Sequence, residues 1–166
     1  MGNFVIDADG YRLNVGIILA NNQNRLFLGR RVGQDAWQFP QGGIHSDESP
    51  IQAMYRELEE EIGLKPEHVK VLGETQEWLR YKLPKKYIRK HSLPLCIGQK
   101  QRWFLLRINC NESEFCFDRF DKPEFDNWKW VNYWTPLKEV IYFKRDVYQY
   151  ALEELGSIIF PEGLPD

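Results

Sequence analysis

The 166-residue chain carries 22 Lys and Arg against 24 Asp and Glu, with 43% hydrophobic and 14% aromatic residues. That length suits a single domain over residues 1–166 with one apolar core, and a formal charge of −2 excludes a polycation that coats nucleic acid without selection. The opening MGNFVIDADG lacks the apolar stretch of a signal peptide, no apolar run is long enough for a membrane span, and Cys96, Cys110 and Cys116 have no metal-ligand spacing, which together predict reduced thiols in a cytoplasmic protein.

In chain order, RLNVGIILA (residues 12–20) is β-branched and apolar and predicts a buried strand. Asn21, Asn22, Gln23 and Asn24 supply turn chemistry, and residues 25–31 predict the returning strand. Residues 37–40 predict a short strand ended by Pro40, just ahead of Gly42 and Gly43. A helix follows: Ser49 caps it, Pro50 takes its first position, Gln52 completes a capping box and Gly63 stops it. Ile51, Tyr55, Leu58 and Ile62 fall on one stripe of that helix, with Met54 at its edge. Residues 69–79 and 101–108 predict strands, separated by a Lys-rich loop over 82–100 that contains two prolines. WKWVNY (residues 128–133) alternates like a further strand, and residues 142–156 predict a closing helix. Strands before, between and after helices predict an α/β (α+β) fold with a mixed central sheet flanked by helices.

The predicted helix gathers acids. On a 3.6-residue wheel Glu60 projects almost opposite the apolar stripe, with Glu57 and Glu61 beside it, so three carboxylates share one outward face. A solvated acidic face and a site for hard divalent cations both fit that pattern. Downstream, Arg80, Lys82, Lys85, Lys86, Arg89 and Lys90 crowd a segment without an acid, a cluster suited to positioning phosphates. His45, His68 and His91 have no ligand spacing.

Gly42, five residues, Glu48, seven residues and then RELEEEIGL (residues 56–64) resemble the complete Nudix signature. The resemblance implies an α/β/α sandwich and metal-dependent hydrolysis of a nucleoside diphosphate linked to another group. It implies Mg²⁺ or Mn²⁺, more than one ion, held by Glu57, Glu60 and Glu61 with Gly42 beside them. Arg56 would orient a glutamate, and Glu48 would tie loop to helix or join the outer shell of the metal. Gly42 and Gly43 are expected to permit a backbone course close to metal and phosphate. The stretches DGYRLNVGIIL, GQDAWQFPQGGI, WLRYKLP, CIGQKQRWFLL, PEFDNWKWV and FKRDVY are similar to the bacterial RNA pyrophosphohydrolase branch of that superfamily. Its members convert the 5′-triphosphate end of RNA to a monophosphate and so initiate mRNA decay, and close relatives cleave dinucleoside polyphosphates. By this resemblance Glu124 approaches the metal from a loop, and Glu60, Glu61 or Glu124 is the general base. Arg12 and Lys144 would contact substrate phosphates, as would Lys85 in the basic cluster. Arg31 and Phe143 would clamp a base, and Tyr81 and Gln99 would complete the pocket. Residues 110–122, CNESEFCFDRFDK, match nothing in that branch.

Overall fold

The computed structural model describes residues 4–120 and 122–166. The apolar run folds as β1 (Tyr11–Ala20), and the Asn-rich turn, with Asn24 in the left-handed region at φ 58°, returns it as β2 (Leu26–Arg31). β3 (Trp37–Gln38) pairs with β2, and β4 (Gln41–Gly43) pairs antiparallel with β1, placing Gly42 opposite Val15. α1 (Pro50–Ile62) follows, then β5 (Val69–Glu74), β6 (Leu79–Lys82), β7 (Gly98–Ile108) and β8 (Phe125–Val131). A short α2 (Thr135–Glu139) and α3 (Arg145–Ile159) close the chain.

The eight strands form one mixed sheet. β1 and β7 run parallel at its centre, with Arg12 opposite Gln99, and the other pairings are antiparallel. Alternation along the central strands divides the core. Val15, Ile17, Leu19, Phe104 and Leu106 face α1, which contributes Ala53, Met54, Leu58 and Ile62. Ile18, Ala20, Trp103 and Leu105 face α3, which contributes Val147, Tyr148, Ala151, Leu152 and Leu155. The sheet therefore lies between two helical layers, as expected.

Several element limits differ from the sequence expectation. The strand expected over 69–79 breaks after Glu74, because buried Thr75 uses its amide and hydroxyl on Trp103 and its carbonyl on Arg102. The loop expected over 82–100 is only 83–97, since sheet pairing claims Lys82 and Gly98. The closing helix starts as a 3-10 turn over Tyr142–Lys144 and runs on to Ile159. The apolar stripe of α1 is also rotated: Leu58 and Ile62 are buried as expected, but Ile51 is exposed, Tyr55 is half-buried, and the buried face takes in Ala53, Met54, Glu57 and Glu61. Among the described residues no helix is long and apolar enough to cross a membrane.

Candidate functional site

α1 is held at both ends by local chemistry legible in the sequence. The Ser49 hydroxyl accepts from the Gln52 amide (3.3 Å), and the Gln52 side chain accepts from the Ser49 amide (2.9 Å). Gly63 ends the helix at φ 81°, and its amide donates to the Glu59 carbonyl (2.9 Å). Between these caps Arg56 organises the acids. Its Nε and Nη2 donate to the two oxygens of Glu48 (2.6 and 3.0 Å), and Nη2 also reaches the Gly43 carbonyl (2.7 Å). Its Nη1 bridges Glu57 (2.7 Å) and Glu60 (3.1 Å). Glu48 in turn accepts from the His45 amide (2.9 Å), which fastens the loop before α1 to the helix. The hydrogen bonds from Arg56 hold Glu48 below the usual carboxylate range. Burial opposes the charge on Arg56, but its hydrogen bonds to Glu48 and Glu57 outweigh that cost and raise its pKa.

The expectation of three outward carboxylates is corrected. Glu57 and Glu61 are only 7% and 6% exposed, while the Glu60 side chain stands 41% exposed. β4 is the reason. It crosses beside α1 through its pairing with β1, so what a lone helix would show to water lies under a strand. Gly42 and Gly43 have no positive φ, so conformational freedom is not their role. Their role is space: a Cβ on Gly42 would overlap the Glu57 carboxyl, and one on Gly43 would overlap Arg12 and Phe4. Burial pushes both Glu57 and Glu61 above the usual carboxylate range, and their mutual proximity adds to the rise at Glu61. Glu61 Oε2 is buried and has no hydrogen-bond partner among the described residues. Two buried, mutually repelling carboxyls with an orphaned oxygen, on a glycine cradle, fit a hard divalent cation in donor chemistry and in room. Among the described residues no three acidic, His or Cys side chains form a closed ligand set. Glu60 turns to Arg56, and Glu124 lies 3.5 Å from Arg31.

Six of the seven sequence-selected binding residues meet in two clefts. A cleft of about 300 Å³ takes in Arg31, Tyr81, Gln99, Glu124, Phe143 and Lys144. Phe143 packs against Tyr81 and Tyr87 at centroid distances of 5.8 and 5.4 Å. The Lys144 ammonium is 8% exposed, donates to Gln38 Oε1 (3.3 Å), and is pushed down to about 8 by burial, with Arg31 adding repulsion. A second cleft of about 390 Å³ shares Gln99 with the first and is lined by Arg12, Arg89 and Cys96. Arg12 lies 3.6 Å from the Phe4 ring centroid, its Nε has no partner among the described residues, and burial holds its pKa below the ordinary value. Lys85 is exposed on a 3-10 turn and lines neither cleft. Gln38 and Tyr87 escaped the sequence reading. A glutamine between Trp37 and Phe39 in a short strand was the available signal for the first, and an aromatic inside the basic loop for the second.

Residues 10–151 match the NUDIX domain family. The chain is 61% identical over 161 residues to the RNA pyrophosphohydrolase of Thioalkalivibrio sulfidiphilus (strain HL-EbGR7), covering 97% of this chain and 93% of the relative. It is 56% identical over 157 residues to the RNA pyrophosphohydrolase of Vibrio cholerae serotype O1, covering 95% and 91%. Among solved structures, the E. coli dihydroneopterin triphosphate pyrophosphohydrolase superposes with a TM-score of 0.66 at 16% identity, covering 86% of this chain and 95% of that one. A C. elegans Ap4A hydrolase superposes with a TM-score of 0.60 at 16% identity, covering 90% and 98%. At such identity these two likenesses concern the fold alone.

Proposed function

Because the chain belongs to the NUDIX domain family, we propose that it hydrolyses the 5′-triphosphate end of RNA to a 5′-monophosphate, releasing pyrophosphate and exposing the transcript to decay. The names and near-complete coverage of relatives at 54–61% identity support this reading. The observation that carries it is the cleft that brings together Arg31, Phe143 and Lys144 and shares Glu124 with a neighbouring cleft walled by Glu57, Glu60 and Glu61 of α1.

Glu57, Glu60 and Glu61 would hold divalent cations, Mg²⁺ or Mn²⁺ and more than one, with the Gly42 backbone and Glu124 beside them. Bound there, such ions would supply Lewis acidity toward the phosphoric anhydride and the attacking water. Arg56 orients Glu57 and Glu60 from behind and touches no substrate. Glu60, Glu61 or Glu124 takes the water proton. Arg12 and Lys144 hold the phosphate chain, Tyr81 and Gln99 line its path, and Lys85 draws the RNA in from outside the clefts. Arg31 and Phe143 offer a guanidinium plane and a ring face to a base. The reading is tested by competition. With Mg²⁺ present, 5′-triphosphate RNA should be converted faster than a dinucleoside tetraphosphate in the same tube. Faster cleavage of the dinucleotide would overturn the RNA assignment and keep the chemistry.

Metal binding should appear as stability. Glu57 and Glu61 have folded pKa values above the ordinary 4.5, so the folded state binds more protons than the unfolded one just above that pH. Without metal, their contribution to stability therefore falls as pH rises from about 4.5 toward neutrality. A divalent cation needs both groups deprotonated. Saturating Mg²⁺ should thus raise Tm by several degrees at pH 8, on the scale of about 2–4 °C per kcal/mol, and much less at pH 5. Thermal melts with Mg²⁺ and with chelator at both pH values check this.

Lys144 carries the opposite sign. Its folded pKa of about 8 lies below the ordinary 10.5, so at pH 7 both states are protonated and the folded one bears the burial penalty. Between those values the unfolded state holds more protons, and stability from this group rises with pH. Lys144→Met should raise stability at pH 7 by about 1–3 kcal/mol and flatten the rise between pH 8 and 10.5. It should also lower kcat/KM at least about tenfold. Paired melts and initial rates read both effects.

A further inference from the structure

The described part of the segment that matched nothing at the level of sequence, residues 110–120 and Lys122, takes a definite place beside α1. The Cys116 amide donates to the Ile62 carbonyl at 2.7 Å. Cys116 fits against Gly63, where a Cβ would collide with it, so the left-handed stop of α1 also serves as the seat of this segment. Phe115 and Phe117 enter an aromatic cluster with Phe27, Trp128 and Trp130, with Phe115 at 4.8 Å from Trp128. Arg119 Nη1 lies 3.5 Å from Glu59 on the exposed side of α1. These attachments place Phe120 and Lys122 on the wall of a third cleft, about 210 Å³, whose other walls are Glu57, Glu60, Glu61 and Glu124.

Charge in that cleft is unevenly committed. Arg56 is spent on Glu48, Glu57 and Glu60, Arg31 on Glu124, and Arg119 on Glu59. Lys122 lines the same space, is exposed, and among the described residues has no carboxylate within ion-pair distance. An ammonium is a compact charge that binds phosphate without a fixed fork geometry. Opposite cation-holding carboxylates, its natural counterpart is an anion that bridges both, and the phosphate chain of a nucleotide or RNA end is such an anion.

We propose that residues 110–120 form a tethered arm that sets Lys122 over the carboxylate cleft as a ligand for the substrate's phosphate chain. This rests on the hydrolase reading above. Lys122 then acts in two opposed ways. It repels divalent cations from the empty carboxylates, and it attracts the phosphate once they are filled.

The test uses the full chain with Lys122→Met, Lys122→Arg and, as a control for net charge, Lys138→Met, which lies outside this cleft. Mg²⁺ alone is titrated by calorimetry, and a non-hydrolysable 5′-triphosphate oligonucleotide is titrated with Mg²⁺ present. Lys122→Met should bind Mg²⁺ about three- to fivefold tighter, as expected for removing one like charge near the ions. It should bind the oligonucleotide about tenfold more weakly. Lys122→Arg and Lys138→Met should stay near the parent protein in both. Oligonucleotide affinity unchanged in Lys122→Met would overturn the proposal. So would weakening of both ligands together with a lowered Tm, which is the pattern of a structural role. The Mg²⁺ titration contains no RNA, so failure of the parent protein to hydrolyse RNA leaves that arm interpretable and condemns only the substrate assignment.

Discussion

Glu61→Gln is expected to lower turnover about a thousandfold or more while making the metal-free protein more stable. Both effects come from one fact, a carboxyl that is 6% exposed and has an oxygen without a partner. At neutral pH the ionised side chain is disfavoured by burial and by Glu57 and Glu124. A neutral amide of the same shape relieves that conflict, so Tm in chelator should rise by a few degrees. The amide cannot neutralise a cation, so the Mg²⁺-dependent gain in Tm should shrink with turnover. Melts with and without Mg²⁺, beside single-turnover rates, separate the two. A variant that loses activity and also melts far below the parent in chelator would contradict this account. Glu61→Ala is a poorer probe, because the buried position turns the deletion into a cavity.

Arg56→Met should cost stability where Glu61→Gln adds it. Its guanidinium satisfies Glu48, Glu57, Glu60 and the Gly43 carbonyl at 2.6 to 3.1 Å. Removing the cation leaves Glu48 and Glu57 as acids in a half-buried or buried setting without their partner, a change worth about 3–5 kcal/mol. For a chain of this length that is roughly 10 °C in Tm. Arg56→Lys should recover only a part of it, since one ammonium cannot serve Glu48 through two nitrogens and also reach Gly43. Chemical denaturation of the three proteins at pH 7 checks the order Arg, Lys, Met. Equal stability of all three would mean that this network organises the site without supporting the fold.

What the sequence disclosed, and what it hid, divide along a physical line. Features set by neighbours in the chain were legible: the Ser49–Gln52 capping box, the Gly63 stop, the buried alternation of β1 and the Asn-rich turn. Features set by distant partners were not. Burial of Glu57 and Glu61 depends on β4 crossing beside α1, and β4 is placed by pairing with β1, about which a helical wheel says nothing. Thr75 breaks a strand because its hydroxyl, in place of a backbone carbonyl, accepts from the Trp103 amide, a contact 28 residues distant. The wheel gathered the acids of α1, but resemblance alone assigned them a metal and brought in Glu124 and Lys144. An isolated Glu124, or a Lys144 at the start of a helix, has no local signal that separates it from a solvated surface residue. Gln38 was passed over because a lone glutamine draws notice only once the ammonium it accepts from is seen to be buried.

The parallel pairing of β1 with β7 also governs when the molecule can become competent. Arg12 lies opposite Gln99 in that register, and the strands between them must loop out before the two central strands meet. Closing so long a loop costs entropy before any reward arrives, and topologies of this kind assemble slowly. During synthesis at about 5–20 residues per second, β1 waits several seconds for its central partner, with β2 and β4 paired to it and α1 available to one face, while the face that packs on α3 stays bare. No partial chain ending before β7 can bring the Arg12 and Gln99 sides of the clefts together. Catalytic competence should therefore arrive late and all at once, and refolding followed by activity should lag refolding followed by helix content.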